Sequence, residues 1–298
     1  MEYELFRVCV MRIARFGDNR LGLVDGYVLR DITQVTERLP QYRWPFPKGD
    51  QFVANLDLMR RAIKNAADAA ARIPVTELKL LSPVANPPRV IAAPINYRAH
   101  EEEASDPGIN HGMDVASDGF RTPIDKFGLF LKSSTSVVGA GEGIELGFPG
   151  RRTDFEVELA VVIGEKVRNV SGGAAMNCIA GYCIGLDISA RGTEDRSFRK
   201  SADSYTVLGP WLVTADEIPD PDNLGIRLAV DGELRQDSNT KNLIVGVREL
   251  IERASCAFTL YPGDVILTGT PEGVGPLKKG STLRATIDGI GAMDVKVR

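Results

Sequence analysis

The sequence predicts an α+β protein in which a mixed, strongly curved β-roll over residues 84–298 follows a small β-rich N-terminal domain over residues 1–83. Two observations carry this reading. The second part of the chain strings many short apolar runs between turn residues and contains few helical patterns, so it lacks the strand–helix alternation of a doubly wound parallel sheet. The stretch 80–88 holds three prolines and reads as an extended linker, which places the domain boundary between Pro83 and Pro88.

The elements follow in order. Apolar residues over 4–14 predict a strand, and 22–32 predicts two short strands turned at Asp25-Gly26. Residues 40–49, rich in proline and aromatics, are expected to be irregular. An alanine-rich amphipathic helix is predicted over 55–72, capped by Asn55 or Asp57 and stopped at Ile73-Pro74. Residues 89–94 read as a buried strand and 98–104 as a short polar helix. The run 105–125 has no periodicity, and a loop of that length is usually mobile or functional. Short apolar stretches end at Lys132 and cover 159–163 and 181–188. Later come a hairpin at Asp231-Gly232, a helix over 247–258, a strand entering a glycine-rich loop at 261–275, and a closing hairpin at Asp288-Gly289.

Composition excludes several function classes. The chain of 298 residues carries 36 basic and 40 acidic residues, a formal charge of −4, without a basic block for nucleic acid or an anionic membrane. No apolar run approaches the roughly 18–20 residues of a membrane span, and no signal-peptide order opens the chain, so a cytoplasmic protein is expected. Cys9, Cys178, Cys183 and Cys256 are scattered and are read as reduced core residues. With His100 and His111 the only histidines, a histidine-rich zinc site is excluded. A bound metal would take oxygen ligands, which suits Mg²⁺, Mn²⁺ or Ca²⁺.

The chemistry is anchored on Asp154-Phe155-Glu156-Val157-Glu158-Leu159. On a strand Glu156 and Glu158 share a face, with Cα atoms about 6.5–7 Å apart. Two carboxylates so close need a shared proton, a cationic side chain or a divalent ion between them, unless the strand is an edge with both glutamates in water. Asp187, between Leu186 and Ile188, is costly to bury ionised unless coordinated or paired, with Arg191 as the pairing alternative. His100 and Glu103 lie three apart on a helix, so the carboxylate can hold one imidazole nitrogen and leave the other as a base; surface decoration is the plainer alternative. His111 is read as incidental. In the 261–275 loop, backbone N–H groups and Thr270 can hold an anionic oxygen, although neither the Walker nor the dinucleotide pattern is present.

Taken together, these segments resemble the fumarylacetoacetate hydrolase family. The resemblance rests on Asn96-Tyr97-Arg98-Ala99-His100 with Glu103, Leu129-Phe130-Leu131-Lys132, Asp154 through Leu159, Gly181-Tyr182 with Leu186 through Arg191, Lys200 with Asp203 and Gly209-Pro210, and Pro262 through Gly275, spread over residues 75–298 in the family's order. It implies a Mg²⁺ or Mn²⁺ ion on Glu156, Glu158 and Asp187. It also implies His100, Glu103 and Lys200 as catalytic residues, and Lys132, Arg191, Gly269 and Thr270 around the substrate. The implied reaction is hydrolysis of a C–C bond in a 2,4-dioxo acid such as an acylpyruvate or fumarylpyruvate, by a homodimer with the family's β-roll. Decarboxylation, isomerisation or hydration of related 2-oxo acids fits the same residues, and a non-catalytic metabolite-binding protein is the reading from another class. Three features depart from the pattern: the long 105–122 segment, Glu194 where glutamine is common, and Val207 where proline is common.

Overall fold

The computed structural model describes residues 11–110 and 119–298. Its first strands are β1 (Arg12–Phe16), β2 (Arg20–Asp25) and β3 (Val28–Asp31), followed by helix α1 (Leu56–Ala69), β4 (Arg72–Pro74) and β5 (Leu80–Leu81). Then come β6 (Val90–Ala92), α2 (Arg98–Glu103), β7 (Phe130–Lys132), β8 (Val137–Gly139), β9 (Thr153–Phe155), β10 (Val157–Ile163), β11 (Ile179–Asp187), β12 (Ser189–Ala190) and α3 (Arg196–Arg199). The chain continues through β13 (Thr206–Thr214), β14 (Gly225–Val230), β15 (Glu233–Asn239), α4 (Val247–Ala257), β16 (Val265–Leu267), β17 (Gly275–Pro276), β18 (Thr282–Ile287) and β19 (Gly291–Lys296).

The architecture is mixed α/β and dominated by sheet. A large sheet runs β4-β3-β2-β1-β13-β11-β10-β16-β6-β7, with β5 beside β1 and β8 beside β13. Most neighbours are antiparallel; β16 with β6 and β13 with β8 are parallel. A small sheet orders β12-β9-β17, and a third orders β15-β14-β18-β19.

Both faces of the large sheet are covered, which is why its central strands read as continuous apolar runs. All seven residues of β10 are buried. Val157, Leu159, Val161 and Ile163 join one core cluster, while Ala160 and Val162 join the other, under Met59, Ile63 and Ala67 of α1. Burying each such aliphatic side chain contributes about 1.5–3 kcal/mol, which lets a strand carry a carboxylate at its end despite the desolvation cost.

Several expectations change in detail. Of the predicted 4–14 strand, residues 4–10, with Cys9, lie outside the described residues, and β1 starts at Arg12. Asn55 occupies the N-cap position of α1 without a side-chain cap bond. Asp50 does the capping, one short helix earlier, accepting from Phe52 and Val53 N–H. The first two residues of the proline-rich 80–88 stretch form β5, because Arg15 and Phe16 of β1 pair with Leu81 and Leu80. Through Arg12 and Ile13, β1 also pairs with Val213 and Leu212 of β13, so the N-terminal strands continue the large sheet. Cys178 and Cys183 are buried, but Cys256 is exposed at the end of α4. His111 lies outside the described residues, and the described parts of 105–125 hold two short helical turns.

Candidate metal centre and active site

The site sits where chain segments cross from the large sheet to the small one. β9 leads into β10 across Glu156, β11 leads into β12 across Ile188, and the loop after β16 leads into β17. Glu156 therefore belongs to neither strand, instead of lying within one continuous strand. The backbone stays bonded at the crossing, with Asp187 N–H donating to the Glu156 carbonyl at 2.9 Å.

Glu156, Glu158 and Asp187 are all buried, and one oxygen from each falls within 4.8 Å of the others. Of the predicted compensations, cationic side chains are present for two of the three. The Lys200 Nζ donates to Glu156 Oε2 at 2.6 Å and to Asp187 Oδ2 at 2.7 Å. Lys132 bonds the other Asp187 oxygen and donates to the Tyr205 carbonyl at 3.0 Å. Arg191, the expected partner of Asp187, instead reaches Asp154 at 2.8 Å and Glu156 at 3.0 Å.

These pairings divide the carboxylates electrically. Burial would push Glu156 up, but the Lys200 and Arg191 charges outweigh it and hold the carboxyl well below the usual range. Burial raises Glu158 well above that range, and the adjacent Asp187 and Glu156 charges add to it. Glu158 has no ion pair among the described residues; its Oε2 accepts from Gly269 N–H at 2.6 Å. Lys132, completely enclosed, is lowered by burial against the opposing pull of Asp187.

This donor set fits a hard divalent cation. It consists of three carboxylates converging from separate segments, with no sulfur or imidazole, and one of them lacks a counter-charge. A cation there would satisfy Glu158 and share the charge of the other two.

On α2, His100 is buried and its Nδ1 lies 2.8 Å from Glu103 Oε2. The other Glu103 oxygen accepts from Gly273 N–H at 3.0 Å. The dyad is thus tied to the loop between β16 and β17, leaving Nε2 without a hydrogen-bond partner among the described residues. That loop requires glycine at two places. Gly269 has φ +99° and would set a Cβ 2.7 Å from the Asn96 Cβ, and Gly273 has φ +95° and would set one 2.0 Å from the Arg235 carbonyl oxygen.

One cleft is lined by His100, Glu156, Glu158, Arg191, Lys200 and Thr270, with Ala93, Pro94, Ile95, Ala104, Ile109 and Phe130 as its less polar wall. Lys132 stands behind Asp187 with a fully enclosed side chain. Thr270 lines the cleft but donates its hydroxyl to the Val157 carbonyl at 2.9 Å, and Gly269 spends its N–H on Glu158. Glu194 turns away: it forms a two-bond pair with Arg151, both contacts 2.8 Å, and is 43% exposed.

Sequence reasoning missed four residues. Arg196 and Arg199 line the same cleft. Asp154, two positions before Glu156, orients Arg191, and the alternation of acidic residues was the available signal. Gln236 of β15 accepts from Val157 N–H at 3.0 Å and donates to Thr270 Oγ1 at 2.9 Å and the Pro271 carbonyl at 2.8 Å. Nothing in its hairpin marks it.

The model of the fumarylacetoacetate (FAA) hydrolase C-terminal family matches residues 89–298. Over 289 residues the chain is 52% identical to a maleylpyruvate hydrolase of Aquipseudomonas alcaligenes, covering 97% of this chain and 99% of the relative. The crystal structure of maleylpyruvate hydrolase from Sphingobium sp. SYK-6 in complex with manganese(II) ion and pyruvate superposes with a TM-score of 0.80 at 37% identity, covering 96% of this chain and 98% of that one. A mitochondrial oxaloacetate tautomerase of Rattus norvegicus is 36% identical over 254 residues, 81% of this chain and 75% of the relative.

Proposed function

The chain belongs to the fumarylacetoacetate hydrolase family, and from that membership we propose that it is a divalent-metal-dependent hydrolase cleaving the C–C bond of a maleylpyruvate-like acylpyruvate. The observation that carries the proposal is that the cleft lined by Glu156, Glu158 and His100 has Asp187 within 4.8 Å of the two glutamate oxygens and Glu103 bonded to His100 at 2.8 Å.

Glu156, Glu158 and Asp187 would hold Mn²⁺ or Mg²⁺. When bound, the ion supplies positive charge that binds the oxo acid's oxygens and draws electron density from the bond to be broken. His100, with Nδ1–H donated to Glu103, takes a proton from water at Nε2 as the water oxygen attacks the acyl carbonyl carbon. The bond between that carbon and the pyruvate methylene breaks, giving a carboxylic acid and pyruvate, with the methylene protonated to methyl. Lys200 carries its charge into the cleft beside the pyruvate end, where negative charge develops. Lys132, Arg191 and Gly269 act by holding Asp187, Glu156 and Glu158 in place, and Thr270 forms the wall against which the substrate lies.

The curved β-roll of residues 84–298, the 1–83 unit whose strands extend its large sheet, the homodimer and the cytoplasmic setting are parts of this same proposal, supported by the family resemblance. The test follows the ultraviolet absorbance of maleylpyruvate, acetylpyruvate and oxaloacetate with chelator-treated protein before and after Mn²⁺ is restored. Loss and recovery of acylpyruvate cleavage is expected. Turnover of oxaloacetate alone would replace hydrolysis with tautomerisation or decarboxylation, and binding without any turnover would make the protein a metabolite binder.

A further inference from the structure

Five cationic side chains gather around the acidic cluster, and they divide into two kinds. Lys132, Lys200 and Arg191 are each paired with its carboxylates. Arg196 and Arg199, on α3, line the cleft and have no ion pair with any described residue. Arg199 is 4% exposed, donates from one terminal nitrogen to the Ala190 carbonyl at 3.2 Å, and leaves its buried Nε without a partner. Arg196 lies over the Phe127 ring, 4.7 Å from its centre, with its nitrogens unbonded by described residues.

Arg199 is buried with incomplete hydrogen bonding and no directly bonded carboxylate among the described residues, which is costly, and the charges of Arg191 and Arg196 add repulsion against the attraction of Glu156 and Asp187. Burial and the neighbouring arginines lower the proton affinity of Arg199 against the pull of Glu156 and Asp187, and burial lowers that of Arg196 against the pull of Asp195 and Glu156. An anion entering the cleft would offset this cost. The fork of a guanidinium matches a carboxylate in two parallel bonds, and the aromatic face of Phe127 keeps one fork in position.

We propose that Arg196 and Arg199 form a second carboxylate subsite, which binds the terminal carboxylate of the substrate's acyl arm and makes the enzyme selective for dicarboxylic acylpyruvates. The proposal rests on the hydrolase reading above for its substrate frame. In that frame the pyruvate carboxylate and its neighbouring carbonyl would be held by Lys200 and the cation on the acidic cluster, so Arg196 and Arg199, without an ion pair among the described residues, would face the other end. An acyl arm ending in a methyl group would leave both uncompensated.

The experiment compares kcat/KM for maleylpyruvate and acetylpyruvate in the Mn²⁺-loaded protein and in Arg199→Leu, Arg199→Lys and Arg196→Gln. The ratio favouring the dicarboxylate is expected to fall on the order of 10–100-fold in Arg199→Leu and Arg196→Gln, mainly through KM, with partial recovery in Arg199→Lys. Calorimetric binding of maleate, the acid product, is expected to weaken in the same order. Equal losses on both substrates would move the arginines to the pyruvate end and overturn the subsite, as would an unchanged ratio. If Arg199→Leu does not fold, the more accessible Arg196→Gln decides by the same ratio. If the wild-type protein cleaves neither substrate, the hydrolase reading falls and maleate binding alone decides: loss in Arg196→Gln supports the subsite, and no change refutes it.

Discussion

Replacing Lys132 by methionine separates two roles that the sequence alone does not distinguish. Its ammonium is enclosed, pairs with Asp187 and donates to the Tyr205 carbonyl at 3.0 Å, so the substitution leaves Asp187 with Lys200 as its remaining cation and leaves the Tyr205 carbonyl to the Ile188 N–H, at 2.9 Å. Breaking a buried pair from one side costs about 3–5 kcal/mol, and methionine fills most of the lysine volume without offsetting the charge. For a chain of this size each kcal/mol shifts Tm by roughly 2–4 °C, so a fall of about 6–20 °C is expected. Thermal unfolding of the chelator-treated variant and wild type reads this directly. Added Mn²⁺ is expected to recover part of the difference, because a cation at the cluster supplies Asp187 with the missing charge. A Tm within about 2 °C of wild type, combined with a raised KM, would refute the positioning role and return Lys132 to the substrate.

Two further outcomes test the neighbouring groups. His100→Ala is expected to lower kcat by on the order of 10²–10⁴ while calorimetric Mn²⁺ affinity stays within about threefold; loss of metal binding would show that the histidine belongs to the cluster and not to proton transfer. Glu158, raised by burial and by the Asp187 and Glu156 charges, stabilises the metal-free fold below the ordinary carboxylate range and loses that contribution as pH rises through its folded value, whereas Glu156, held low by Lys200 and Arg191 against its burial, contributes above that range and loses as pH falls. Mn²⁺ binding between the ordinary carboxylate range and the raised Glu158 value should therefore release protons and tighten with pH. Calorimetry in two buffers of different ionisation heat measures this, and zero proton release would contradict it.

What could be read from the sequence was what carries a local energetic contradiction. Glu158 and Asp187 sit among aliphatic residues that suggest buried strands, so their charges called for a partner unless the strand was a wet edge, and the structure buries both. His100 and Glu103 were legible because helical spacing alone brings them together. Long-range choices were not legible. Asp187 pairs with Lys132, 55 positions away, instead of the nearby Arg191, because Arg191 reaches across to Asp154 and Glu156. Arg196 and Arg199 stand in a short polar stretch whose composition is that of a solvated turn, and the packing of α3 beside β7 and the Ala190 carbonyl that holds Arg199 are tertiary contacts. Gln236 lies on a hairpin strand whose other side chains are mostly exposed, and its inward reach depends on a loop from the far end of the chain.

The three crossings between the sheets carry one more consequence. Each carboxylate of the cluster is fixed by backbone that is laddered or hydrogen-bonded at the crossing, whereas α3 and the described residues of 105–125 lie outside those ladders. On the proposed reading, the metal ligands are thus held by the sheets while the arginines proposed for the far end of the substrate sit on a helix outside them. If the proposed subsite holds, substitutions on that helix are expected to change which substrate is preferred while the acidic trio keeps its place.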